Sequence, residues 1–241
     1  SINNYEIIII NDGSTDNSDQ VINQFTDTRI HYFSQTNKGV SAARNFGFKK
    51  SKGKFVLFLD ADDLLTVNFL QARLETLTNN NYDFCSGNVN LFRSKNDIEL
   101  DRWNNNTTLL LKDILLFNPQ INTCPSGFIF KKDFLIKNKL LFNTELQSTA
   151  DKYFLVETLY CKGRYVAVSG SDTQLHYRVH SNSMSNTLSK NLVLDNLKYY
   201  QSLKKNNYIP KKISKAFNYK MHYILCGAYK QIKDWKNFVR F

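Results

Sequence analysis

The sequence feature that most constrains the fold is an apolar run over residues 55–59 that ends in three carboxylates, Asp60, Asp62 and Asp63. The run contains no polar position, so it predicts a strand with both faces buried, at the centre of a covered and mainly parallel sheet. Carboxylates crowded together repel one another unless they are compensated. A hard divalent cation such as Mg²⁺ or Mn²⁺ provides that compensation because it prefers oxygen ligands.

The acidic stretch alone fits more than one kind of site. It can be a solvated turn that caps the next helix, or a metal-binding Asp-x-Asp motif. An EF-hand loop counted from Asp60 is excluded, because Leu65 and Gln71 stand where Gly and Glu are required. An aspartyl-phosphate phosphatase also places Asp-x-Asp after a strand, but it normally has Thr or Val where this chain has Leu64.

The bulk composition describes a globular chain without an obvious membrane segment. Its 241 residues suit one domain, or one domain with an appendage, and 42% of them are hydrophobic. No apolar run approaches the roughly 20 residues of a membrane span, and no signal peptide is evident. The four cysteines form no CxxC pair, so we expect reduced thiols in a cytoplasmic protein and no structural zinc.

The positive charge is concentrated near the C-terminus. The formal net charge is +11, and residues 186–241 hold 12 lysines and arginines against 2 aspartates. The 185 residues before them are close to neutral. This distribution argues against a generally basic nucleic-acid-binding protein and favours a neutral catalytic body with a basic tail.

Two strand ends are predicted to lie at one crevice. A mostly apolar strand over residues 5–10 leads into a turn that contains Asp12, and a helix follows. Strand–turn–helix order indicates an α/β fold, in which ligands bind beyond the carboxyl ends of the strands. Asp12 and Asp60 are therefore expected to face the same crevice, although Asp12 can equally be a turn-forming aspartate.

A short helix over residues 41–48 carries Arg44 just ahead of the acidic stretch. A guanidinium at that place can hold the aspartates together or bind a phosphate bidentately. The alternative is an ordinary surface arginine.

Three motifs together resemble the GT-A fold, family 2 glycosyltransferases. They are Ile10-Asn11-Asp12-Gly13-Ser14-Thr15-Asp16, Asn37-Lys38-Gly39-Val40-Ser41-Ala42-Ala43-Arg44-Asn45 and Phe58-Leu59-Asp60-Ala61-Asp62-Asp63. The resemblance implies a mixed, mainly parallel central sheet flanked by helices. It also implies that Asp12 contacts the nucleotide base, and that Asp60 and Asp62 position the ribose and a divalent cation, Mn²⁺ or Mg²⁺. A phosphatase would not explain the two upstream motifs.

Two further residues follow from the same resemblance. The family has a Glu-Asp motif whose aspartate is the catalytic base. Here Ala150 replaces the glutamate and Asp151 is kept. Ser148 with Asp151 can equally be a capping box at a helix start. His180 lies in a Tyr-Arg-x-His element that resembles the end of the family's catalytic domain, where the histidine completes the metal site in some members.

The predicted organisation is a glycosyltransferase catalytic domain over residues 1–185 and a basic helical extension over residues 186–241. Members of the family begin with a further strand and helix, so we expect the catalytic domain to be incomplete at its N-terminus. Two helices are predicted in the extension, over residues 188–204 and 210–233. Their lysines form either a solvated face or a patch for anionic lipid headgroups at the inner face of the cell membrane.

The resemblance implies a metal-dependent, inverting transfer of a sugar from a nucleotide-sugar donor, a UDP-sugar above all. The acceptor is expected to be a saccharide or a lipid-linked glycan, in the synthesis of surface polysaccharide. The alternative is a non-catalytic module that binds nucleotide or another protein. Nucleic acid is not expected as a partner.

Overall fold

The computed structural model describes residues 2–94, 97–103, 108–170, 172–179, 189–234 and 237. Strands and helices alternate along much of this range, as predicted for an α/β chain. The strands are β1 Ile7–Asp12, β2 Ile30–Gln35, β3 Phe55–Leu57, β4 Leu64–Leu65, β5 Phe84–Gly87, β6 Val89–Ser94, β7 Asp97–Trp103, β8 Phe128–Lys131, β9 Tyr165–Val168 and β10 Leu175–Arg178. The helices are α1 Ser18–Ile22, α2 Val40–Lys50, α3 Phe69–Asn79, α4 Leu111–Leu115, α5 Lys132–Lys137, α6 Ala150–Tyr160, α7 Lys190–Lys205 and α8 Ser214–Gln231.

The described strands form three sheets, in the orders β1-β2, β4-β10-β6-β7 and β3-β8-β5-β9. The pairs β1–β2, β6–β10 and β5–β9 are parallel, and the other four pairs are antiparallel. The mixed α/β class is confirmed, with more antiparallel pairing than the sequence predicted. The main reason is β8, which enters from a short 3₁₀ turn and runs antiparallel to both of its neighbours.

The predicted central strand over residues 55–59 lies at a sheet edge. Among the described strands, β3 pairs with β8 alone. Val56 and Phe58 are buried, whereas Leu59 is 45% exposed. Val56 packs into the main core, and Phe55 and Leu57 pack against a second hydrophobic cluster, so both faces of β3 are covered as predicted. The predicted central position was wrong, because a run of apolar residues does not show on which side a partner strand lies.

A second difference concerns residues 97–106, which are mainly polar and for which the sequence predicts an irregular segment. Residues 97–103 instead form β7, which pairs antiparallel with β6 through two register irregularities. Polar and apolar residues alternate over residues 97–100, which is typical of a strand, and the polar composition alone did not reveal this pattern.

The main core brings the end of β3 next to the start of α6. The ring of Phe58 packs edge-on against Phe142 at 4.9 Å between centroids, and Phe142 stacks on Phe154 of α6 at 4.3 Å. Both helices predicted near the C-terminus are present as α7 and α8. Their residues Tyr199 and Phe217 are fully buried in this same core.

Candidate functional site

Arg44 joins two of the predicted site carboxylates. From the second turn of α2, its Nη2 donates to Asp60 Oδ1 at 2.6 Å and its Nη1 donates to Asp151 Oδ1 at 2.7 Å. The arginine side chain is only 10% exposed, and the two carboxylates are 30% and 29% exposed. Residues that are 107 positions apart in the chain thus form one cluster at the end of β3.

The cluster perturbs the titration of Asp151 and Arg44. Burial raises the pKa of Asp151 to about 6, because the loss of water outweighs the nearby charge of Arg44, and Asp60 raises it further. Burial lowers the pKa of Arg44, but the charges of Asp151 and Asp60 outweigh that effect and leave this pKa above its ordinary value. A carboxylate that titrates near neutrality is suited to accept a proton.

Asp63 points into the protein, unlike the other members of the acidic stretch. It is 6% exposed, and its Oδ1 accepts a hydrogen bond from the backbone N–H of Arg178 at 3.0 Å. The thiol of Cys124 donates to its Oδ2 at 3.9 Å. Burial raises the pKa of Asp63 to about 6, and Asp60 and Asp62 add to the increase. Asp63 therefore ties the acidic turn to β10.

The donor set at this place fits a hard divalent cation in part. Among the described residues, ligand atoms of Asp60, Asp63 and Cys124 lie within 4.8 Å of one another. Burial, with the carboxylates beside it, raises the pKa of the Cys124 thiol, which therefore stays neutral. Because Mg²⁺ and Mn²⁺ prefer oxygen, the carboxylates are the suitable ligands.

The three predicted metal ligands are placed differently. Asp60 belongs to this group of ligand atoms, whereas the exposed Asp62 does not. The backbone carbonyl of Asp62 accepts a hydrogen bond from Arg178 Nε at 2.9 Å. His180 lies outside the described residues, so its part in the metal site stays a prediction.

Asp12 contacts the start of α2 and not the Arg44 cluster. Its carboxylate accepts hydrogen bonds from the backbone N–H groups of Lys38 and Gly39 at 2.9 and 2.7 Å, and from Gln35 Nε2 at 2.7 Å. Asp12 thereby fixes the beginning of the helix that carries Arg44. Its expected contact with a nucleotide base stays a prediction.

Asn11, which the sequence analysis did not single out, organises the turn after β1. It is 6% exposed, accepts a hydrogen bond from the backbone N–H of Ser14 at 2.7 Å, and donates to Asp19 at 2.6 Å and to the Tyr32 hydroxyl at 2.9 Å. An amide directly between a strand and a glycine turn was the available signal, since Asn commonly bonds to the backbone in turns.

The predicted capping box at α6 is wrong. The capping position belongs to Thr149, and no side chain there bonds to the helix. Ser148 Oγ instead donates at 2.8 Å to Asp195 on α7. The residues before Asp151 are thus held by another helix.

None of the helices in the described part of the chain has the length and apolar character that crossing a membrane requires.

Comparisons with known proteins give a consistent family. The family model for glycosyl transferase family 2 matches residues 1–138. An uncharacterized glycosyltransferase of Rickettsia bellii is 46% identical over 82 residues, which are 34% of this chain and 12% of that protein. One of Haemophilus influenzae is 40% identical over 95 residues, 35% of this chain and 38% of that protein. The chain thus matches well under two thirds of the length of these two relatives.

Two further comparisons extend over most of the chain. The Escherichia coli UDP-Glc:alpha-D-GlcNAc-diphosphoundecaprenol beta-1,3-glucosyltransferase WfgD is 24% identical over 241 residues, 97% of this chain and 86% of that protein. The crystal structure of S. aureus TarS in complex with UDP-GlcNAc has a TM-score of 0.63 at 18% identity, covering 80% of this chain and 56% of that chain. This likeness shows the GT-A fold. Because the family model covers more than half of the 241 residues, the chain belongs to glycosyl transferase family 2.

Proposed function

We propose that this chain is a metal-dependent, inverting glycosyltransferase that moves a sugar from a UDP-sugar to a saccharide or lipid-linked acceptor in surface polysaccharide synthesis. The observation that carries the proposal is the Arg44 bridge, which brings the candidate base Asp151 beside Asp60 at the end of β3. Two relatives support the choice of donor: WfgD is named for a UDP-Glc donor and a lipid-linked acceptor, and TarS was solved with UDP-GlcNAc.

The donor side is assigned to residues near the ends of β1 and β3. Asp12 contacts the nucleotide base, and Asp60 contacts the ribose. Asp60 and Asp62 would hold a divalent cation with His180 as a third ligand, and Mn²⁺ or Mg²⁺ suits the oxygen atoms of the two carboxylates. When bound, the cation neutralises the charge that develops on the leaving diphosphate. Arg44 keeps Asp60 in place and supplies positive charge nearby.

Asp151 acts as the general base. It accepts the proton of the acceptor hydroxyl as that oxygen forms a bond to the anomeric carbon, while the bond from this carbon to the diphosphate oxygen breaks. Attack opposite the leaving group inverts the anomeric configuration. Asp151 lies in the first turn of α6, where the positive end of the helix dipole partly offsets the burial that raises its pKa to about 6.

The test is a donor-turnover assay with a matched pair of variants. UDP-glucose and UDP-N-acetylglucosamine are incubated with the chain and Mn²⁺, and UDP release is measured. Asp151→Asn is expected to reduce turnover by about 10²–10⁴-fold. Asp133→Asn is the control, because Asp133 is also the second residue of a helix, α5, but is exposed and belongs to no part of the site. It is expected to stay within about twofold of the original chain.

Two outcomes would contradict the proposal. If no donor is turned over with Mn²⁺ or Mg²⁺ while UDP still binds in calorimetric titration, the chain is a nucleotide-binding module and not a transferase. If Asp151→Asn keeps full turnover, Asp151 is not the base. The metal assignment fails if Asp62→Asn leaves both Mn²⁺-dependent UDP binding and turnover unchanged.

A contact with an anionic membrane is assigned to the outer face of α8. Tyr219 and Tyr223 are one helical turn apart and are 74% and 69% exposed. Lys215 and Lys230 are exposed on the same helix. Exposed tyrosines with lysines suit the headgroup region of a membrane. Amphipathic aromatic rings are stabilised there, and anionic headgroups attract the positive charges. This surface would place the enzyme at the inner, cytoplasmic face of the cell membrane.

Sedimentation with vesicles tests this surface. The chain is expected to pellet with vesicles containing phosphatidylglycerol and to stay in solution with phosphatidylcholine alone. The double change Tyr219→Ser with Tyr223→Ser should weaken the binding, whereas Ile136→Ser, at a 54% exposed position on α5, should not. Equal binding by all three chains would refute the assignment.

A further inference from the structure

Asp195 is a buried carboxylate on α7 that accepts four hydrogen bonds from the segment just before α6. The residue is only 5% exposed. Its Oδ1 accepts from the backbone N–H of Gln147 at 2.7 Å. Its Oδ2 accepts from Ser148 Oγ at 2.8 Å, and from the backbone N–H and Oγ1 of Thr149, both at 2.9 Å. One side chain therefore satisfies donors on three consecutive residues.

This arrangement holds the capping residue of α6 from outside the helix, because Asp195 accepts both the backbone N–H and the hydroxyl of Thr149. The first N–H groups of a helix have no partner within the helix, and a side chain at the capping position usually compensates. At α6 that position is Thr149, which directs its hydroxyl to Asp195 and not to the helix. An ionised carboxylate offers about four acceptor sites. Four donors converge on this one, with one at Oδ1 and three at Oδ2.

Asp151 is the second residue of α6 and follows this segment directly. Its carboxylate is held by Arg44 from α2. Its backbone position depends on where α6 begins, and Asp195 fixes that point. The two contacts come from different elements, so the base is restrained both at its carboxylate and at its backbone.

A second contact joins α7 to α6 farther along. Asn206, which directly follows α7, donates through Nδ2 to the hydroxyl of Tyr153 at 2.8 Å. This bond holds the body of α6 against α7 but does not touch the segment before Asp151. It provides a matched comparison for the contact made by Asp195.

We propose that Asp195 is a positioning residue for the base: it fixes the start of α6 so that the Asp151 carboxylate meets the acceptor hydroxyl in the reactive geometry. The inference rests on the proposed role of Asp151. A displacement of about 1 Å at a catalytic group can cost about 10²-fold in rate. A residue that acts in this way changes kcat while leaving the binding of the donor in place.

The test measures UDP release from UDP-glucose and from UDP-N-acetylglucosamine with Mn²⁺, with water as the sugar acceptor. The better of the two donors is then used to determine kcat and KM. In Asp195→Asn, the amide oxygen can take the place of Oδ2. The amide NH₂ group then takes the place of Oδ1 and faces the backbone N–H of Gln147, so two donors meet and that hydrogen bond is lost. We expect kcat to fall by about 10-fold and donor KM to change by less than about twofold. Asp195→Ala should lower kcat by up to about 10²-fold.

Asn206→Ala is the control. It removes a contact between α7 and α6 of similar kind, so it should lower the melting temperature with kcat within about twofold. If Asp195→Ala does not fold, Ser148→Ala is used in its place. It removes only the hydroxyl of Ser148, which is one of the four donors to Asp195. A fall in kcat of about two- to fivefold at unchanged KM is then expected.

The inference is overturned if Asp195→Asn and Ser148→Ala both fold and keep the original kcat, or if Asn206→Ala loses as much kcat as Asp195→Asn. Its failure is distinct from failure of the proposed function. Asp151→Asn reports on the base itself, and an inactive Asp151→Asn beside a fully active Asp195→Asn would remove only the positioning role.

Discussion

Replacement of Arg44 by methionine tests the charge bridge that joins Asp60 to Asp151. Methionine keeps much of the side-chain length and removes the charge. Each hydrogen bond to a charged group contributes about 1.5–3 kcal/mol. The two carboxylates are 30% and 29% exposed and can turn toward water, so we discount the pair to about 2 kcal/mol. The guanidinium also lies 5.1 Å from the centroid of the Phe142 ring, which adds about 0.5–1 kcal/mol.

The expected loss of unfolding free energy is therefore about 3 kcal/mol, or a fall in melting temperature of roughly 6–12 °C for a chain of this size. The same change acts on titration. Arg44 lowers the pKa of Asp151 against the effect of burial, so its removal should raise this pKa above about 6. Because the base works when ionised, the pH below which activity falls should move upward in Arg44→Met. Arg44→Lys keeps a charge but cannot contact both carboxylates equally well. The pH below which activity falls should therefore move less in Arg44→Lys than in Arg44→Met.

The assay is UDP release as a function of pH, with melting temperature measured on the same samples. Asn45→Ala is the control, because Asn45 makes two hydrogen bonds from the same helix to the backbone of Phe142, at 2.8 and 2.9 Å, and carries no charge. It should lower the melting temperature without moving the pH profile. If Arg44→Met leaves the pH dependence of UDP release unchanged, or lowers the unfolding free energy by less than about 1 kcal/mol, the Arg44 bridge does not have the proposed effect on stability and titration.

Three further outcomes are expected. Burial raises the pKa of Asp83, but hydrogen bonds and charge from Arg164 outweigh it and hold this pKa below its ordinary value. Asp83→Asn should therefore cost roughly 1 kcal/mol at pH 7 in urea titrations. The difference from the original chain should start to shrink below about pH 4, the ordinary pKa of aspartate, and disappear once the pH is below the lowered pKa of the folded state. Gly13→Ala should cost about 2 kcal/mol or more, since φ is +78° and a Cβ would lie 2.8 Å from a backbone nitrogen, whereas Gly39→Ala, at φ +87° in open space, should cost about 1 kcal/mol by thermal melting. A chain of residues 1–185 alone should show no cooperative unfolding by circular dichroism, and a cooperative transition at the original temperature would contradict this.

The sequence located the carboxylates of the site but not their directions. Asp60, Asp62 and Asp63 follow a strand within four residues, and composition alone marks them as one anionic group. The structure separates them, with Asp63 buried and bonded to the backbone of Arg178 and Asp62 exposed. That difference depends on β10, more than 100 residues away in the chain, and no local pattern around residue 60 reports it.

The same limit explains the error at the start of α6. Ser148 and Asp151 have the spacing of a cap, and local sequence cannot show that Ser148 has a stronger acceptor elsewhere. Asp195 lies 47 residues after Ser148, in the first of the two predicted C-terminal helices, and nothing in that helix's sequence indicates a contact with Ser148. By contrast, Arg44 was placed near the acidic stretch because α2 leads directly into β3, and that short connection fixes their proximity.

Packing of the C-terminal helices explains why the truncated chain should fail, although the domain division at residue 185 stays a prediction. Tyr199, Leu203, Phe217 and Met221 are fully buried in the core that also holds Phe154 of α6. Burying such a side chain contributes about 1.5–3 kcal/mol, so these four contribute about 6–12 kcal/mol. That is comparable to the whole stability of a typical domain, about 5–15 kcal/mol. Because the core around α6 and the contact of Asp195 both come from these helices, the placement of Asp151 and the stability of the fold depend on the same segment.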